Sequence, residues 1–312
     1  MRLTRALAGI VAGVLLAAGG LWGVYSFRDL ERLELDQSVR DSAPGQFVAL
    51  NDGVTHYELA GPAEGQVVVL AAGFSVPYYI WDPTFRALVD SGFRVLRYDY
   101  YGRGYSDRPD IPFTQDLYVR QLAELLNALH ITGSVDVVGI SFGASVVTSF
   151  ADRYPERVRA LAYFGPAFRR PYLLGPLERH PMAWNFFAAV FQERVWAQTQ
   201  LQDFLRPERF PDWPTRYHVQ LQYKGFRRAR LSEMVSNETV DQWDQLTRVG
   251  RHPRPVLVIW GKQDRTVPFE DSGPLLMVMP RARLLAVDSA AHLPQWEQPE
   301  TVHSNLIAFL RH

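Results

Sequence analysis

The chain has 312 residues, nearly half of them apolar, with 33 Lys plus Arg balanced by 33 Asp plus Glu and no cysteine. That length and apolar content allow one large core, so a single catalytic domain is expected. A formal net charge of zero, with no basic stripe interleaved with aromatics, argues against a nucleic-acid partner. The absence of cysteine excludes a disulfide framework, a thiolate nucleophile and a Cys-based zinc site.

Arg2 and Arg5 precede an uncharged run over residues 6–25, long enough as a helix to cross a ~30 Å hydrocarbon core. Residues 1–26 therefore read as a membrane anchor or an export signal. Ala17-Ala18-Gly19 suit a cleavage site, whereas Trp22 and Tyr25 suit the aromatic belt of an uncleaved anchor, which is the preferred reading. Either way the basic end stays inside. The remainder is expected on the outer side of a bacterial cytoplasmic membrane, or exported if the segment is removed. Residues 27–46 are rich in charge, with Phe27, Leu30 and Leu33 at helical spacing, and are expected to form a simple spacer or stalk.

From Phe47 the pattern turns to short β-rich runs at 47–50, 54–59 and 67–70, separated by Asn51-Asp52-Gly53 and Gly61-Pro62 turns, which predicts an opening meander. Strand-like and helical stretches then alternate at 94–98, 116–129, 135–140, 142–154 and 159–164, the signature of a mostly parallel sheet with crossover helices. At about 167–250 the alternation gives way to aromatic and basic sequence, including Trp184, Phe191, Trp196 and Trp213, which reads as a helical cap insertion. It resumes with a strand at 256–260, a helix near 270–279, a strand at 283–287 and a terminal helix at 299–310. Residues 47–312 are thus expected to form one α/β domain interrupted by one cap.

The strand at 135–140 runs into Gly139-Ile140-Ser141-Phe142-Gly143 and then a helix. A G-x-S-x-G pattern alone arises by chance in about one chain of this length in ten, so the strand-turn-helix context carries the weight. The two glycines let strand and helix backbones approach while Ser141 is held in a strained turn. The helix that follows offers unpaired amides to a developing oxyanion, beginning with Phe142 N–H. A serine hydroxyl needs a base. Of eight histidines, His292 follows the last strand and reaches the carboxyl edge of the sheet, where α/β sites assemble. His56, His130, His252, His303 and His312 read as surface or packing residues, and His180 and His218 as cap residues. Asp264, just beyond the strand at 256–260, is expected to orient the imidazole. Phe74 N–H, after Gly73, is expected to be the second oxyanion donor.

Together these motifs resemble the α/β-hydrolase superfamily, in its esterase and monoacylglycerol-lipase-like branch, from about residue 47 to the C-terminus. The resemblance rests on Ala72-Gly73-Phe74 with Trp81, the loop from Asp99 to Ser106, the elbow at Ser141, Gly261 to Asp264 with Val267-Pro268, and His292 followed by Glu297-Gln298-Pro299. It implies the α/β-hydrolase fold, a mostly parallel central sheet flanked by helices with a helical cap. It further implies a Ser141, Asp264, His292 triad in that family's chain order, with the amides of Phe74 and Phe142 as oxyanion hole. Relatives usually carry His-Gly where this chain has Ala72-Gly73, which puts the support of that loop in question. The expected reaction is ester hydrolysis through an acyl-enzyme, on a small-molecule ester or a lipid such as a monoacylglycerol, with no metal or organic cofactor. Amide or C–C bond hydrolysis on the same triad is the alternative. A non-catalytic binding protein of the same fold is the reading from another class.

Overall fold

The apolar runs of the sequence gather into an eight-stranded sheet among the described residues, which are 2–168, 174–236 and 241–312 of a computed structural model. Residues 169–173 and 237–240, inside the insertion expected at about 167–250, lie outside the described residues. The strands are β1 (Gln46–Leu50), β2 (Gly53–Ala60), β3 (Val67–Ala71), β4 (Arg94–Tyr98), β5 (Val135–Ile140), β6 (Val158–Phe164), β7 (Val256–Gly261) and β8 (Ala282–Val287). Their spatial order is β1-β2-β4-β3-β5-β6-β7-β8. The β1/β2 and β2/β4 pairs are antiparallel, and all others are parallel. Every residue of β5 and β7 is buried, which explains their continuous apolar runs: a central parallel strand has both faces covered.

The expected opening meander is only half realised. β1 and β2 form a hairpin, but β4 lies between β2 and β3, because β3 feeds a helical crossover rather than a second hairpin. From β3 the chain moves first to β4 on one side, then returns across β3 to β5 and continues away on the other. The switch in direction falls between β3 and β5, the position where open α/β sheets leave a crevice at their carboxyl edge.

The helices are α1 (Arg2–Arg28), α2 (Gln37–Ser42), α3 (Asp82–Asp90), α4 (Gln115–Ala128), α5 (Phe142–Arg153), α6 (Pro181–Phe187), α7 (Glu193–Thr199), α8 (Trp213–Leu221), α9 (Phe226–Ser236), α10 (Trp243–Arg251), α11 (Ser272–Val278), α12 (Pro294–Glu297) and α13 (Pro299–Leu310). α4 illustrates the local logic. The Thr114 hydroxyl caps it by accepting from Leu117 N–H at 3.2 Å, and a buried stripe runs through Leu117, Gln121, Leu122 and Leu125 at the spacing of one helix face. α3, α12 and α13 pack together, while α4, α5, α10 and α11 form a second group. α6 to α9 build the cap, whose aromatic residues pack on one another and on the core: Phe204 stacks on Phe210 at 4.2 Å, and Trp213 meets Trp296 edge-on at 5.2 Å.

The segment expected to be a spacer is instead docked on the cap. Arg227, almost fully buried, reaches Asp29 at 2.7 Å, Glu193 at 2.8 Å and Glu31 at 3.7 Å. Leu33 and Tyr223 form a parallel bridge. The charge density that suggests a solvated stalk is the complement of a buried guanidinium. Three carboxylates surround that one cation. Burial pushes the Glu193 carboxyl up to about 7 against the pull of Arg227, because a low-dielectric site disfavours the charged form. α1 itself continues to Arg28, and its stretch Gly9–Arg28 is long and apolar enough to cross a membrane, with none of its apolar window buried by the rest of the chain.

His303 of α13 is buried, with Nε2 3.1 Å from the Thr84 hydroxyl. Burial lowers it to about 4. In the unfolded chain the ring takes a proton near 6.5, so the unfolded state binds the proton first and stability falls as pH drops from 6.5 towards 4, by about 3 kcal/mol in full. Urea titrations of the detergent-solubilised protein at pH 7 and pH 4.5 are expected to show this loss, and His303→Gln is expected to make the difference between the two pH values smaller. An unchanged difference in the variant would assign the acid sensitivity elsewhere.

Candidate active site

Strand register alone brings the candidate residues to one edge. Ala71 of β3 pairs with Gly139 of β5, Ile140 with Phe164 of β6, Phe164 with Ile259 of β7, and Gly261 with Val287 of β8. The loops that carry Gly73, Ser141, Gly165, Asp264 and His292 therefore all leave the sheet at its carboxyl edge.

Ser141 has φ 52° and ψ −119°, a backbone region that costs a non-glycine residue roughly 1–3 kcal/mol. The corner is held by its neighbours. Ser141 N–H donates to Phe164 O at 2.9 Å, and Ser141 O accepts from Ala144 N–H at 3.1 Å and Ala167 N–H at 3.3 Å. A methyl on Gly139 would overlap Gly143 O, and one on Gly143 would overlap the carbonyls of Ala71 and Ala72. Strand, elbow helix and the loop after β3 are in backbone contact there, so both glycines of the motif are sterically required. Ser141 itself is only partly buried.

The loop after β3 stands against the serine. A Cβ built on Gly73 falls 3.8 Å from Ser141 Cβ, and the rings of Phe74 and Phe142 meet edge-on at 6.1 Å. Phe142 opens α5, and the first amides of a helix have no acceptor within it. The support that a histidine at position 72 would lend is supplied from elsewhere. Arg103 Nε donates to Phe74 O at 2.9 Å, and Gln220 of α8 donates to Ser75 O at 2.8 Å. Arg103 is in turn paired with Glu233 of α9. The Asp99 to Ser106 loop thus braces the candidate oxyanion loop from beneath while the cap braces it from above.

Asp264 and His292 are joined: His292 Nδ1 lies 2.8 Å from Asp264 Oδ2. The other carboxylate oxygen of Asp264 accepts from Thr266 N–H and Val267 N–H, each at 2.9 Å, so the acid is fixed independently of the histidine. Gly165 (φ 43°) packs against the pair, a methyl there falling 2.9 Å from Asp264 Oδ2 and 3.1 Å from His292 Nδ1. Because Phe164 holds Ser141 N–H and Gly165 touches the imidazole, one dipeptide links the serine corner to the acid-base pair. Burial works to lower the His292 pKa, but the adjacent Asp264 and the nearby Asp203 outweigh it and the net shift is upward from 6.5. The other buried His-Asp contact has no spare nitrogen for base chemistry: His56 Nδ1 faces Asp99 at 2.7 Å and its Nε2 faces Pro44 O at 2.5 Å.

Sequence reasoning does not single out three further groups at this site. Asp203, from the cap, accepts His292 N–H on its carbonyl at 3.0 Å and the Thr266 hydroxyl on Oδ1 at 2.6 Å. Burial raises its carboxyl pKa, opposed by His292. Glu297, a motif residue with no role assigned from sequence, accepts Ala291 N–H at 2.7 Å on one oxygen and Leu205 N–H at 2.8 Å and Arg206 N–H at 3.1 Å on the other. It ties the His292 loop to the cap. Arg230 of α9 lies over the ring of Phe74 at 5.1 Å and over Trp196 at 4.7 Å. Its Nε and Nη1 are buried with no hydrogen-bond partner among the described residues. Only Glu297 has a signal in the sequence, its place after His292. Asp203 and Arg230 belong to the insertion, whose tertiary path no periodicity encodes.

A serine on a strained strand-helix corner, an imidazole fixed by a buried carboxylate, and a supported loop of amides form an arrangement suited to nucleophilic attack on a carbonyl. The chain is 28% identical over 280 residues to the 2-hydroxy-6-oxo-6-phenylhexa-2,4-dienoate hydrolase of Comamonas testosteroni, covering 84% of this chain and 93% of that protein. It is 29% identical over 293 residues to the 2-hydroxy-6-oxononadienedioate/2-hydroxy-6-oxononatrienedioate hydrolase of Burkholderia vietnamiensis, covering 87% and 97%. An esterase structure from Thermogutta terrifontis superposes with a TM-score of 0.72 at 22% identity, covering 86% of this chain and 98% of that one. The two curated relatives are dienoate hydrolases and the esterase likeness is one of fold, so the narrower resemblance to monoacylglycerol lipases is not specifically supported by them. Residues 68–304 match the Alpha/beta hydrolase family, and the chain belongs to that family as a serine-hydrolase-type member.

Proposed function

We propose that this protein hydrolyses a carbon–carbon bond next to a ketone in a small substrate that carries a carboxylate, with Ser141, Asp264 and His292 as the catalytic triad. The observation that carries the reading is Arg230. A guanidinium with two buried, unpartnered nitrogens beside the Phe74 loop is suited to an anionic substrate group, because a charge-assisted pair there satisfies donors that are otherwise costly to bury. A neutral monoacylglycerol offers no such partner. The two dienoate hydrolases act, by their names, on substrates bearing both a ketone and a carboxylate.

In the proposed reaction His292 accepts the Ser141 proton as the oxygen attacks the ketone, and the amides of Phe74 and Phe142 stabilise the oxyanion. The C–C bond breaks only if the departing electron pair is delocalised. An oxo-dienoate provides this once its 2-hydroxyl has tautomerised to a ketone, so the pair is conjugated with that carbonyl. A proton then completes the released fragment, and water frees the other as a carboxylic acid. Ester hydrolysis on the same groups is the second reading, favoured by the aromatic cap. Arg2 and Arg5 before the apolar run of α1 support a span that leaves the catalytic part on the outer side of the membrane.

Three measurements test this. A substrate panel read spectroscopically is expected to show turnover of a 2-hydroxy-6-oxo-dienoate well above that of neutral nitrophenyl esters or monoacylglycerols. Arg230→Gln is expected to weaken kcat/KM for the dienoate by roughly tenfold or more while leaving neutral esters nearly unchanged. Faster turnover of neutral esters by the unaltered protein would reject the C–C reading. Failure of a fluorophosphonate probe to label Ser141 would reject the serine mechanism altogether. The third measurement is the pH profile. The base acts when neutral, so kcat/KM falls as pH drops through the raised His292 pKa. Removing one of the negative charges that raise it, in Asp203→Asn, is expected to move that acid limb to lower pH. An unmoved limb would show that the Asp203 charge does not reach the base.

A further inference from the structure

Outside the catalytic site, the three most exposed large apolar side chains among the described cap residues are Met182 at 89%, Phe191 at 59% and Val195 at 50%. All three lie on the segment that receives the end of α1. Asn185, on the same helix as Met182, donates to Tyr25 Oη at 3.0 Å, and Phe186 stacks on the Tyr25 ring at 6.2 Å. Val190 O, next to Phe191, accepts from Arg28 Nε at 2.9 Å. Arg194, next to Val195, donates to Phe27 O at 3.4 Å. Phe191 also packs on Phe187 at 5.3 Å, so the patch has an aromatic base rather than isolated tips.

We propose that this face of the cap lies in the interfacial layer of a phospholipid bilayer, as a second membrane contact beside α1. The depth follows from the attachment. Gly9–Arg28 is a 20-residue apolar stretch, and a helix of that length spans the ~30 Å hydrocarbon core, with its last turn at the headgroup boundary. Trp22, 71% exposed, and Phe27, 74% exposed, mark that boundary as interfacial aromatics do. Cap residues within hydrogen-bond reach of Tyr25 and Arg28 are held at the same level. The attachment does not swing freely, because Arg227 is locked between Asp29 on the linker and Glu193 on α7. The patch is continuous with the surface of a helix whose apolar window the chain leaves unburied, and the occupant that covers such a helix is lipid. Exposed Arg194, on the same turn, is placed to meet lipid phosphate.

The cysteine-free chain makes the test direct. Single variants Met182→Cys, Phe191→Cys and Val195→Cys are labelled with an environment-sensitive fluorophore, alongside Leu16→Cys in the middle of α1 and Arg283→Cys on β8. Each full-length protein is placed, one chain per disc, in nanodiscs of phosphatidylethanolamine and phosphatidylglycerol with brominated or ordinary acyl chains. The proposal expects loss of emission in brominated lipid at positions 16, 182, 191 and 195, and none at 283, where aqueous iodide quenches instead. Quenching at 16 with iodide access at the three cap positions would overturn the cap contact. No quenching at 16 would overturn the span and the proposal with it. Shielding of the cap positions that appears only with two chains per disc would assign the patch to a second copy of this chain and overturn it equally.

Discussion

The geometry of the site depends on one backbone constraint, the positive φ of Ser141. A side-chain-bearing residue stays in that conformation only if its surroundings leave no alternative, and here three loops close on it. Gly139, Gly143 and Ala72 bring strand, helix and the loop after β3 into direct backbone contact, while Phe164 and Ala167 hold the serine amide and carbonyl. Gly143 meets the end of β3, and Phe164 ends β6 with Ala167 just beyond it, so the corner can exist only when β3, β5 and β6 are already in register. The fold is therefore the device that strains the serine.

The Asp264–His292 pair depends on the same closure from the other side. Gly165 fits between the serine strand and the imidazole because it lacks a side chain, and Gly261 lets the Ala290 and Ala291 carbonyls approach so closely that a Cβ there would overlap both. What differs is the source of the outer contacts. The serine is held by the core, whereas His292 is also held by the cap, through the Asp203 carbonyl and the Glu297 carboxylate. Two negative groups, Asp264 and Asp203, then oppose the loss of proton affinity that burial would impose on the imidazole. The position of the cap and the basicity of His292 are consequently coupled through Asp203.

The sheet is legible in the sequence because a strand buried on both faces must be apolar throughout, and β5 and β7 are delimited to within a residue on that ground. Asp264 and His292 are legible because each follows a strand end, and the structure brings them within hydrogen-bond distance. Strand order is less so: nothing local distinguishes a meander from a hairpin followed by a crossover, and the place of β4 between β2 and β3 is a property of long-range pairing. The charged stretch from Asp29 to Glu34 misleads for a related reason. Solvated and buried charges have the same composition, and only the location of Arg227, far along the chain, separates them. Arg230 and Asp203 are hidden similarly, since their meaning lies in what they face rather than in what adjoins them.

These contacts also fix how the parts can move. Residues 193–206 carry Glu193, which grips Arg227 and through it Asp29, and also Asp203, Leu205 and Arg206, which grip the His292 loop and Glu297. Removing one partner from a buried charge pair costs about 3–5 kcal/mol, which applies where Arg227 of the cap meets Asp29 of the linker, and moving Leu205 and Arg206 away would take two of its three amide donors from the Glu297 carboxylate. A cap that opened along this side would incur both costs together. Linker, α7 and His292 loop are therefore tied together, and an opening of the cap is least costly along the parts that make neither grip.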